Sequence, residues 1–316
     1  MPDPDPKISV IIPVYNSAEL LAYAVESVLK QNFALAEIII VDDGSTDSTF
    51  IAAKELEEAN PNVRAFNKSN GGASSARNFG FRQVSLSSQF LFFLDADDRL
   101  LPNALILMHA YLDENKNVGL LGCQFNYIDY NSNKIIPARR TRICKPGLIP
   151  RDLKDKEYET PFEVFYCATG QGPYALYRRS IFEKTNGWSE DFWGHNDTDM
   201  FIQMALEAPV HYLPHTLYLK KKVKTSLEHQ PNRGKLYKQL RAKWDNYTTD
   251  DIQKSNKLSA ARYYYYRWHR PCRDLKVSTK ALISYLREPT LNRLQWFFKL
   301  LRSGFSGLLF PKMPKD

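Results

Sequence analysis

The regular alternation of short apolar runs with amphipathic stretches is the feature that most restricts how this chain can fold. It predicts strands near residues 8–13, 38–41, 63–66, 90–94 and 118–130, and helices near residues 18–31, 46–59, 73–84 and 102–113. Strands that alternate with helices in this way are typical of a parallel sheet covered by helices on both faces. The sequence therefore predicts an α/β fold.

Carboxylates follow two of the predicted strands and precede a later helix. They are Asp42 and Asp43, then Asp95, Asp97 and Asp98, and finally Asp197 and Asp199. Ligands of open α/β sheets bind beyond the carboxyl ends of the strands, so these acids are expected to line one crevice. A crevice of this kind indicates an enzyme.

The second of these clusters, Asp95-Ala96-Asp97-Asp98, directly follows an almost wholly apolar strand. Crowded carboxylates repel one another, and the repulsion is relieved by a cation or by water. Mg²⁺ and Mn²⁺ take one or two protein carboxylates and complete their shell with water and substrate phosphates. The D-x-D pair is common in proteins, so it indicates a divalent metal only in combination with other motifs. Asp42-Asp43-Gly44-Ser45 also fits a helix cap.

The segment from Asn70 to Gly80 places two glycines before a predicted helix and Arg77 within it. Such a segment can present backbone N–H groups and a guanidinium to phosphates. It matches neither G-x-G-x-x-G nor a Walker loop, which argues against a dinucleotide-binding oxidoreductase and a P-loop ATPase. A purely structural turn would use the same glycines.

Asp197 and Asp199 stand at the start of a predicted apolar helix. One of them fits a capping role, and the other fits a general base that takes a proton from a hydroxyl within hydrogen-bond reach. The spacing of the two residues does not decide which is which.

Charge is distributed unevenly along the chain. Residues 1–219 hold 20 Lys and Arg against 28 Asp and Glu, a net charge of −8, whereas residues 220–316 hold 23 against 7, a net charge of +16. Basic and aromatic residues interleave in 262–270 and 294–302. Such segments either lie at an anionic membrane interface or pack on a catalytic core. Charged residues and glycines interrupt 294–310, which argues against a transmembrane span.

The cysteines and the N-terminal residues indicate the cellular compartment of the protein. Four cysteines, Cys123, Cys144, Cys167 and Cys272, are scattered without zinc-site spacing, so we expect reduced thiols. The first residues are rich in proline and acidic residues and carry no apolar segment, so we expect no secretory signal. A cytoplasmic protein, peripheral on the inner face of the membrane, is the resulting expectation.

Taken in order, these motifs resemble those of the family 2 glycosyltransferases, which have the GT-A fold. The resemblance is carried by Val10–Asn16, Ser27–Gln31, Val41–Asp47, Asn70–Gly80 and Phe93–Asp98, with Tyr177–Arg179, Gly187-Trp188 and the Asp197 region on the acceptor side. The resemblance covers about residues 7–230 and implies a catalytic domain there, preceded by a flexible N-terminus at 1–6. That domain would have a Rossmann-like, mixed and mostly parallel central sheet flanked by helices. A basic, aromatic-rich helical region would occupy 231–316.

The resemblance also implies an activity. A sugar would pass with inversion from a nucleoside diphosphate donor, a UDP-sugar being favoured, to an acceptor hydroxyl in polysaccharide, glycan or glycolipid synthesis, with Mn²⁺ or Mg²⁺ as cofactor. By similarity the donor would be bound by Pro13, Tyr15, Asn16, Asp43, Asn70, Gly71, Arg77, Asp95 and Ala96. The metal candidates are Asp97, Asp95, Asp98 and His229, and the expected base is Asp197.

The chain departs from the family pattern at one position. Many relatives have Glu-Asp where this chain has Asn196-Asp197, so the aligned aspartate is retained and one negative charge is lost. An amide still forms hydrogen bonds. The departure therefore bears on the class of acceptor more than on catalysis.

Three other functions fit parts of the sequence. A noncatalytic module could bind nucleotide sugars or glycans and be recruited to membranes through its basic region. A nucleic-acid-binding protein would suit the charge of that region, but no nucleic-acid motif accompanies it, so no nucleic-acid partner is expected. A nucleotidyltransferase could use the D-x-D pair without requiring the other motifs. The expected partners are a nucleotide-sugar donor, a glycan or lipid-linked acceptor and an anionic membrane surface.

Overall fold

A computed structural model describes residues 8–31, 35–137, 174–191, 194–208 and 210–222, together with 239, 240 and 243. Several sequence predictions fall on residues outside these ranges. They are the N-terminus at 1–6, His229, the helical region at 231–316 and the cysteines other than Cys123. These remain predictions.

The described elements alternate as expected through the first half of the chain. In order they are β1 (Ile8–Val14), α1 (Ala18–Leu29), β2 (Leu35–Asp42), α2 (Thr49–Ala59), β3 (Val63–Asn67), α3 (Gly72–Arg82), β4 (Phe90–Phe93), β5 (Arg99–Leu100), α4 (Ala104–Glu114), β6 (Leu120–Asp129), β7 (Lys134–Pro137), β8 (Ala175–Arg178), α5 (Arg179–Phe182), α6 (Asn196–Glu207) and β9 (Val210–Lys221).

One predicted helix begins later than its apolar pattern indicated. The prediction placed its start at residue 46, whereas α2 starts at Thr49. The preceding residues form other hydrogen bonds: the N–H of Thr46 donates to Oδ1 of Asn16 at 2.8 Å, and Oδ1 of Asp47 accepts from the N–H of Thr49 at 2.9 Å. Polar side chains that bond to nearby backbone compete with helix formation in this way.

The strands form one nine-stranded sheet with the order β3-β2-β1-β4-β8-β6-β9-β5, and β7 pairs with β6. The four strands β3, β2, β1 and β4 are parallel, β8 is antiparallel to both of its neighbours, and β6 runs parallel to β9. Val14 pairs with Asp42, and Ile11 pairs with Phe93. The carboxyl ends of β1, β2 and β4 therefore meet at one edge of the sheet, as predicted.

Helices bury apolar residues against both faces of the sheet. Along β1 every residue is buried, with Val10 and Ile12 packed into one core cluster and Ile11 into the other. The first cluster receives buried residues of α1, α2 and α4, and the second receives those of α3, α5 and α6. A continuous apolar run such as Val10–Ile12 is what a strand covered on both faces requires.

Helix α3 packs unusually close to the sheet at Gly80. A Cβ atom at this position would lie 2.5 Å from Cγ2 of Ile11 and 3.1 Å from Cγ2 of Val41. The absence of a side chain thus lets the helix approach β1 and β2. This approach sets the position of Arg77, which lies one turn earlier on the same helix.

None of the helices within the described ranges is long and apolar enough to cross a membrane. Cys123 is buried and free, and burial raises the pKa of its thiol to about 12. A thiol with so high a pKa is not a reactive nucleophile.

Candidate active site

Two loops at the carboxyl edge of the sheet are tied together by Asn16. Its N–H donates to Oγ of Ser45 at 2.9 Å, and its Oδ1 accepts from the N–H of Thr46. Asn16 has a positive φ of 46°, a conformation that asparagine tolerates better than most residues. The neighbouring Tyr15 follows the carboxyl end of β1 and is 50% exposed, whereas Pro13 is buried inside β1.

Asp42 and Asp43 are both buried, and each holds a loop. Asp42 accepts hydrogen bonds from Oγ and N–H of Ser45 and from Nδ2 of Asn67 at 2.5 Å. Asp43 is 3% exposed and accepts from the N–H of Gly72 at 2.6 Å and from Nζ of Lys68 at 2.7 Å.

The glycine turn before α3 is folded around the carboxylate of Asp43. The N–H groups of Gly71 and Gly72 both donate to it, so a side chain, and not a free anion, satisfies these first donors of the helix. Gly72 has a φ of 84°, which glycine adopts without strain. The loop at Asn70 and Gly71 is thereby held at the crevice edge in a defined shape.

Arg77 lies beneath the D-x-D motif. It is 4% exposed, its Nη2 donates to Oδ1 of Asp95 at 2.6 Å, and its guanidinium lies 4.6 Å from the ring centroid of Trp188. Burial is the largest single influence on the pKa of Arg77 and lowers it. The carboxylates of Asp95 and Asp197 act in the opposite direction, and the net result is a pKa above the usual value. The predicted donor-side acid and the predicted base therefore share one buried cation.

The three carboxylates of the second cluster have different surroundings. Asp98 is 2% exposed and accepts hydrogen bonds from the hydroxyl of Tyr218 and the N–H of Lys221, both at 2.7 Å. Burial, followed by the charges of Asp97 and Asp95, raises the pKa of Asp98 well above its usual value. Asp97 keeps 40% of its side chain exposed, and burial and Asp95 raise its pKa as well.

The donor set fits a hard divalent cation that is mainly ligated by water and substrate. Within the described ranges no three His, Cys, Asp or Glu residues are grouped as metal ligands. Mg²⁺ typically uses only one or two protein carboxylates. Asp95 and Asp97 are the partly exposed carboxylates of the motif, while both oxygens of Asp98 already accept hydrogen bonds from the protein. Ala96 between them is buried in the core.

The two acids at the start of α6 are distinguished by their partners. The helix begins after His195, so both lie in its first turn. Asp199 is fully buried and accepts from Nε2 of Gln203 at 2.9 Å, and Gln203 in turn accepts from the N–H of Asn186 at 2.8 Å. Asp199 thus supports the backbone at Asn186 through Gln203. Asp197, in contrast, is only partly buried and interacts electrostatically with Arg77.

Asn196, the residue before the expected base Asp197, links two helices. Its Nδ2 donates to Oγ of Ser74 in α3 at 2.8 Å, and both residues are buried. Because Ser74 lies two residues after Gly72, this bond joins the start of α6 to the loop held by Asp43. The amide of Asn196 therefore connects the first turn of α6, where Asp197 lies, with the first turn of α3.

Three groups of residues were not identified from sequence. Asn78 holds Trp188 by accepting from its N–H and donating to its carbonyl, both at 2.8 Å. The hydroxyl of Tyr130 donates to the carbonyl of Asp97 at 3.1 Å. Tyr218 and Lys221 reach Asp98 from β9. Asn78 and Trp188 fall in segments that carry the family resemblance, but no local pattern reveals that they meet.

The chain is similar to known proteins of one family. The family described as glycosyl transferase family 2 matches residues 9–185, more than half of the chain. The EpsJ glycosyltransferase of Bacillus subtilis (strain 168) is 26% identical over 277 residues, covering 86% of this chain and 74% of EpsJ. The minor teichoic acid biosynthesis protein GgaA of the same organism is 38% identical over 116 residues, or 35% of this chain and 26% of GgaA. The segment matched in GgaA is thus about a quarter of that protein.

Solved structures show the same fold. The crystal structure of S. aureus TarS 1-349 in complex with UDP-GlcNAc aligns with a TM-score of 0.62 and 19% identity, covering 83% of this chain and 71% of TarS 1-349. The GT-A fold predicted from sequence is confirmed. On the strength of the family match, the chain belongs to glycosyl transferase family 2.

Proposed function

We propose that this protein is an inverting glycosyltransferase that uses a nucleoside diphosphate sugar, with a UDP-sugar favoured, and glycosylates a hydroxyl of a cell-envelope polysaccharide, glycan or glycolipid. The observation that carries the proposal is the buried guanidinium of Arg77, which hydrogen-bonds Asp95 of the D-x-D motif and interacts with Asp197. A single-displacement transfer needs a leaving-group site and a base side by side, and Arg77 joins these two candidates.

Related proteins support the substrate classes. One relative is named GalNAc(5)-diNAcBac-PP-undecaprenol beta-1,3-glucosyltransferase, from Campylobacter jejuni, and it is 29% identical over 209 residues, covering 64% of this chain and 60% of that protein. GgaA acts in minor teichoic acid biosynthesis, and TarS was crystallised with UDP-GlcNAc. We infer a nucleotide-sugar donor and a glycan or lipid-linked acceptor for this chain, handled on the cytoplasmic side of the membrane.

On the donor side, the exposed Tyr15 ring and the loops tied by Asn16 and Asp43 would bind the nucleotide. Asp95 and Asp97 would hold Mg²⁺ or Mn²⁺ beside the diphosphate. When bound, such an ion neutralises negative charge on the departing diphosphate. Arg77 keeps Asp95 in place through its 2.6 Å hydrogen bond.

On the acceptor side, the carboxylate of Asp197 would remove the proton of the acceptor hydroxyl. The acceptor oxygen then forms a bond to the anomeric carbon while the bond from that carbon to the diphosphate oxygen breaks, and the electron pair leaves with the diphosphate. Attack from the opposite face inverts the configuration. Arg77 interacts electrostatically with Asp197, and this interaction raises the pKa of the guanidinium, so a fixed positive charge accompanies the expected base.

The proposal is tested by measuring nucleotide release from UDP-, GDP- and dTDP-sugars with Mn²⁺, in parallel with samples containing EDTA, and by measuring donor binding in the same samples. We expect EDTA-sensitive release from one donor. Binding without release, even when undecaprenyl-linked and polyol phosphate acceptors are supplied, would support a noncatalytic binding module. Absence of both binding and release would overturn the proposal.

Two substitutions separate the proposed roles. Asp97→Asn is expected to abolish metal-dependent turnover, because the metal loses a carboxylate. Asp197→Asn is expected to reduce transfer by at least about a hundredfold, in the range typical of lost acid–base catalysis, while donor binding persists. Asp113→Asn, in an exposed ion pair with Lys116, serves as a control and should leave both unchanged. Normal turnover by both site variants would contradict the assignment.

A further inference from the structure

A lysine from the end of β9 lies beside the D-x-D motif. Nζ of Lys221 is 3.9 Å from Oδ2 of Asp97, and the backbone N–H of Lys221 donates to Oδ1 of Asp98. The Lys221 side chain is 28% exposed, so it is only partly buried. Nothing in the local sequence distinguishes it from its neighbours Lys220 and Lys222.

The backbone of Lys221 is fixed from several sides. It pairs with Ile128 of β6, and the next N–H, that of Lys222, donates to the carbonyl of Ile128 at 2.8 Å. Three residues earlier, Tyr218 donates to the other oxygen of Asp98. Through these two hydrogen bonds, the buried carboxylate of Asp98 holds the end of β9 against the motif. The position of the Lys221 backbone beside the motif is thus a consequence of the fold.

The distance to Asp97 leaves the ammonium available. At 3.9 Å it is attracted to the carboxylate but lies beyond hydrogen-bond range, which ends near 3.2 Å for N–H···O. An ammonium carries three donors and has no fixed geometry, which suits phosphate oxygens. A diphosphate bound beside Asp97 would bring oxygens into the range of these donors.

We propose that Lys221 is a further donor-binding residue, whose ammonium binds the diphosphate of the nucleotide sugar beside the D-x-D motif. This inference rests on the proposed function. As the bond between the anomeric carbon and the diphosphate oxygen breaks, the electron pair leaves with the diphosphate, and its negative charge develops next to the ammonium of Lys221. Such charge stabilisation is strongest where water is partly excluded.

The test compares binding of UDP, GDP and dTDP with binding of the matching nucleosides, by calorimetry, with Mn²⁺ and with EDTA. Lys221→Met is expected to weaken binding of the preferred diphosphate about tenfold under both conditions, the size expected for a lost charge-assisted hydrogen bond. Binding of the nucleoside should not change, because it lacks phosphates. Lys221→Arg should restore most of the diphosphate affinity.

Lys222→Met is the matched control, since Lys222 is exposed and follows Lys221 directly. It should bind diphosphate and nucleoside as the wild type does. Unchanged diphosphate binding by Lys221→Met would overturn the inference while leaving the proposed function intact. Equal losses of nucleoside and diphosphate binding would also overturn it, because they would indicate a structural role. If the wild type binds none of the three diphosphates with Mn²⁺, the proposed function is contradicted, and the inference about Lys221 is contradicted with it.

Discussion

At the scale of single residues, the acids of the crevice fall into two groups according to their surroundings. Four are buried and accept hydrogen bonds from the protein: Asp42, Asp43, Asp98 and Asp199. Three are only partly buried: Asp95, Asp97 and Asp197. Each of the three acidic clusters thus contains at least one aspartate that fixes a neighbouring segment of backbone, either directly or, for Asp199, through Gln203. The candidates for chemistry are the acids that remain partly exposed to the crevice.

Asp98 leads to a prediction about pH. Its pKa is raised by burial and by its acidic neighbours, so the folded protein binds this proton more tightly than the unfolded chain does. The protonated Asp98 side chain stabilises the fold fully at pH values below the usual aspartate pKa of about 3.9. This stabilisation decreases as the pH rises through the higher pKa of the folded protein. Asp98→Asn cannot ionise, so its stability does not decrease in this way. We expect the free energy of unfolding of the variant, relative to wild type, to increase between about pH 4 and pH 7.

Urea unfolding in EDTA across that range would measure the difference. Asp113→Asn, on the exposed surface, should show no comparable trend. A difference between Asp98→Asn and wild type that stays constant with pH would contradict the pKa assignment.

At the scale of elements, helix α1 and the residues that follow it hold the chain that comes after the D-x-D motif. Oγ of Ser27 in α1 accepts from the N–H of Leu100 at 3.0 Å. Gln31 donates to the carbonyl of Leu101 at 3.0 Å and accepts from the N–H of Leu105 at 3.2 Å. Ser27–Gln31 is one of the segments that carry the family resemblance, and these hydrogen bonds show its structural role. Its side chains fix β5 and the start of α4, which follow the D-x-D motif in the chain.

Tyr130, just after β6, supports the motif from another side. Arg99 donates to its hydroxyl at 3.0 Å, and the guanidinium lies 4.3 Å from the ring of Tyr23 and 4.5 Å from that of Tyr130. Tyr130→Phe retains the stacked ring but leaves the carbonyl of Asp97 without this donor. We expect about fivefold more Mn²⁺ to be needed for half-maximal turnover, from the loss of roughly one hydrogen bond.

A Mn²⁺ titration of activity checks this prediction, with Tyr127→Phe in β6 as control. Stability should fall by no more than about 1 kcal/mol in Tyr130→Phe. An unchanged Mn²⁺ requirement would show that the carbonyl of Asp97 does not depend on this hydroxyl.

The close packing of α3 on the sheet leads to a prediction about Gly80. Alanine would favour the helix by about 1 kcal/mol, but its Cβ would lie 2.5 Å from Ile11 Cγ2. β-branched side chains in strands have little freedom to rotate away, and overpacking costs about 1–3 kcal/mol. We expect Gly80→Ala to be less stable than wild type by about 1 kcal/mol. Thermal unfolding would measure this, with Arg82→Ala as reference, and a stabilised variant would contradict it.

At the scale of the whole molecule, the most prominent feature is the separation of charge between residues 1–219 and residues 220–316. We propose that the basic, aromatic-rich region contacts anionic lipid. The full chain should bind vesicles containing phosphatidylglycerol, with weaker binding as salt rises, and should not bind neutral phosphatidylcholine vesicles. Replacing Arg262, Arg267 and Arg270 with glutamine should reduce binding, whereas Arg82→Gln should not. Failure to bind anionic vesicles, or tighter binding to oligonucleotides, would contradict the proposal.

The sequence by itself determined the alternating elements and the edge of the sheet where the acids gather. Both are local properties: apolar periodicity separates strands from helices, and a strand-ending carboxylate is visible beside its own strand. The Asp95–Asp98 cluster could therefore be located from the apolar run Phe90–Leu94 that precedes it. Exact boundaries, such as the late start of α2 at Thr49, depended on hydrogen bonds from another loop.

Only the tertiary structure decided which acids meet which partners. Strand β8 inserts antiparallel between β4 and β6, and β9 returns beside β6. This order brings Tyr218 onto Asp98, 120 residues away in sequence, and places Asp197 near Arg77. Such contacts depend on strand order and on the packing of helices against both faces, which local periodicity does not specify. The positions of Arg77 and Lys221 beside the motif follow from that packing.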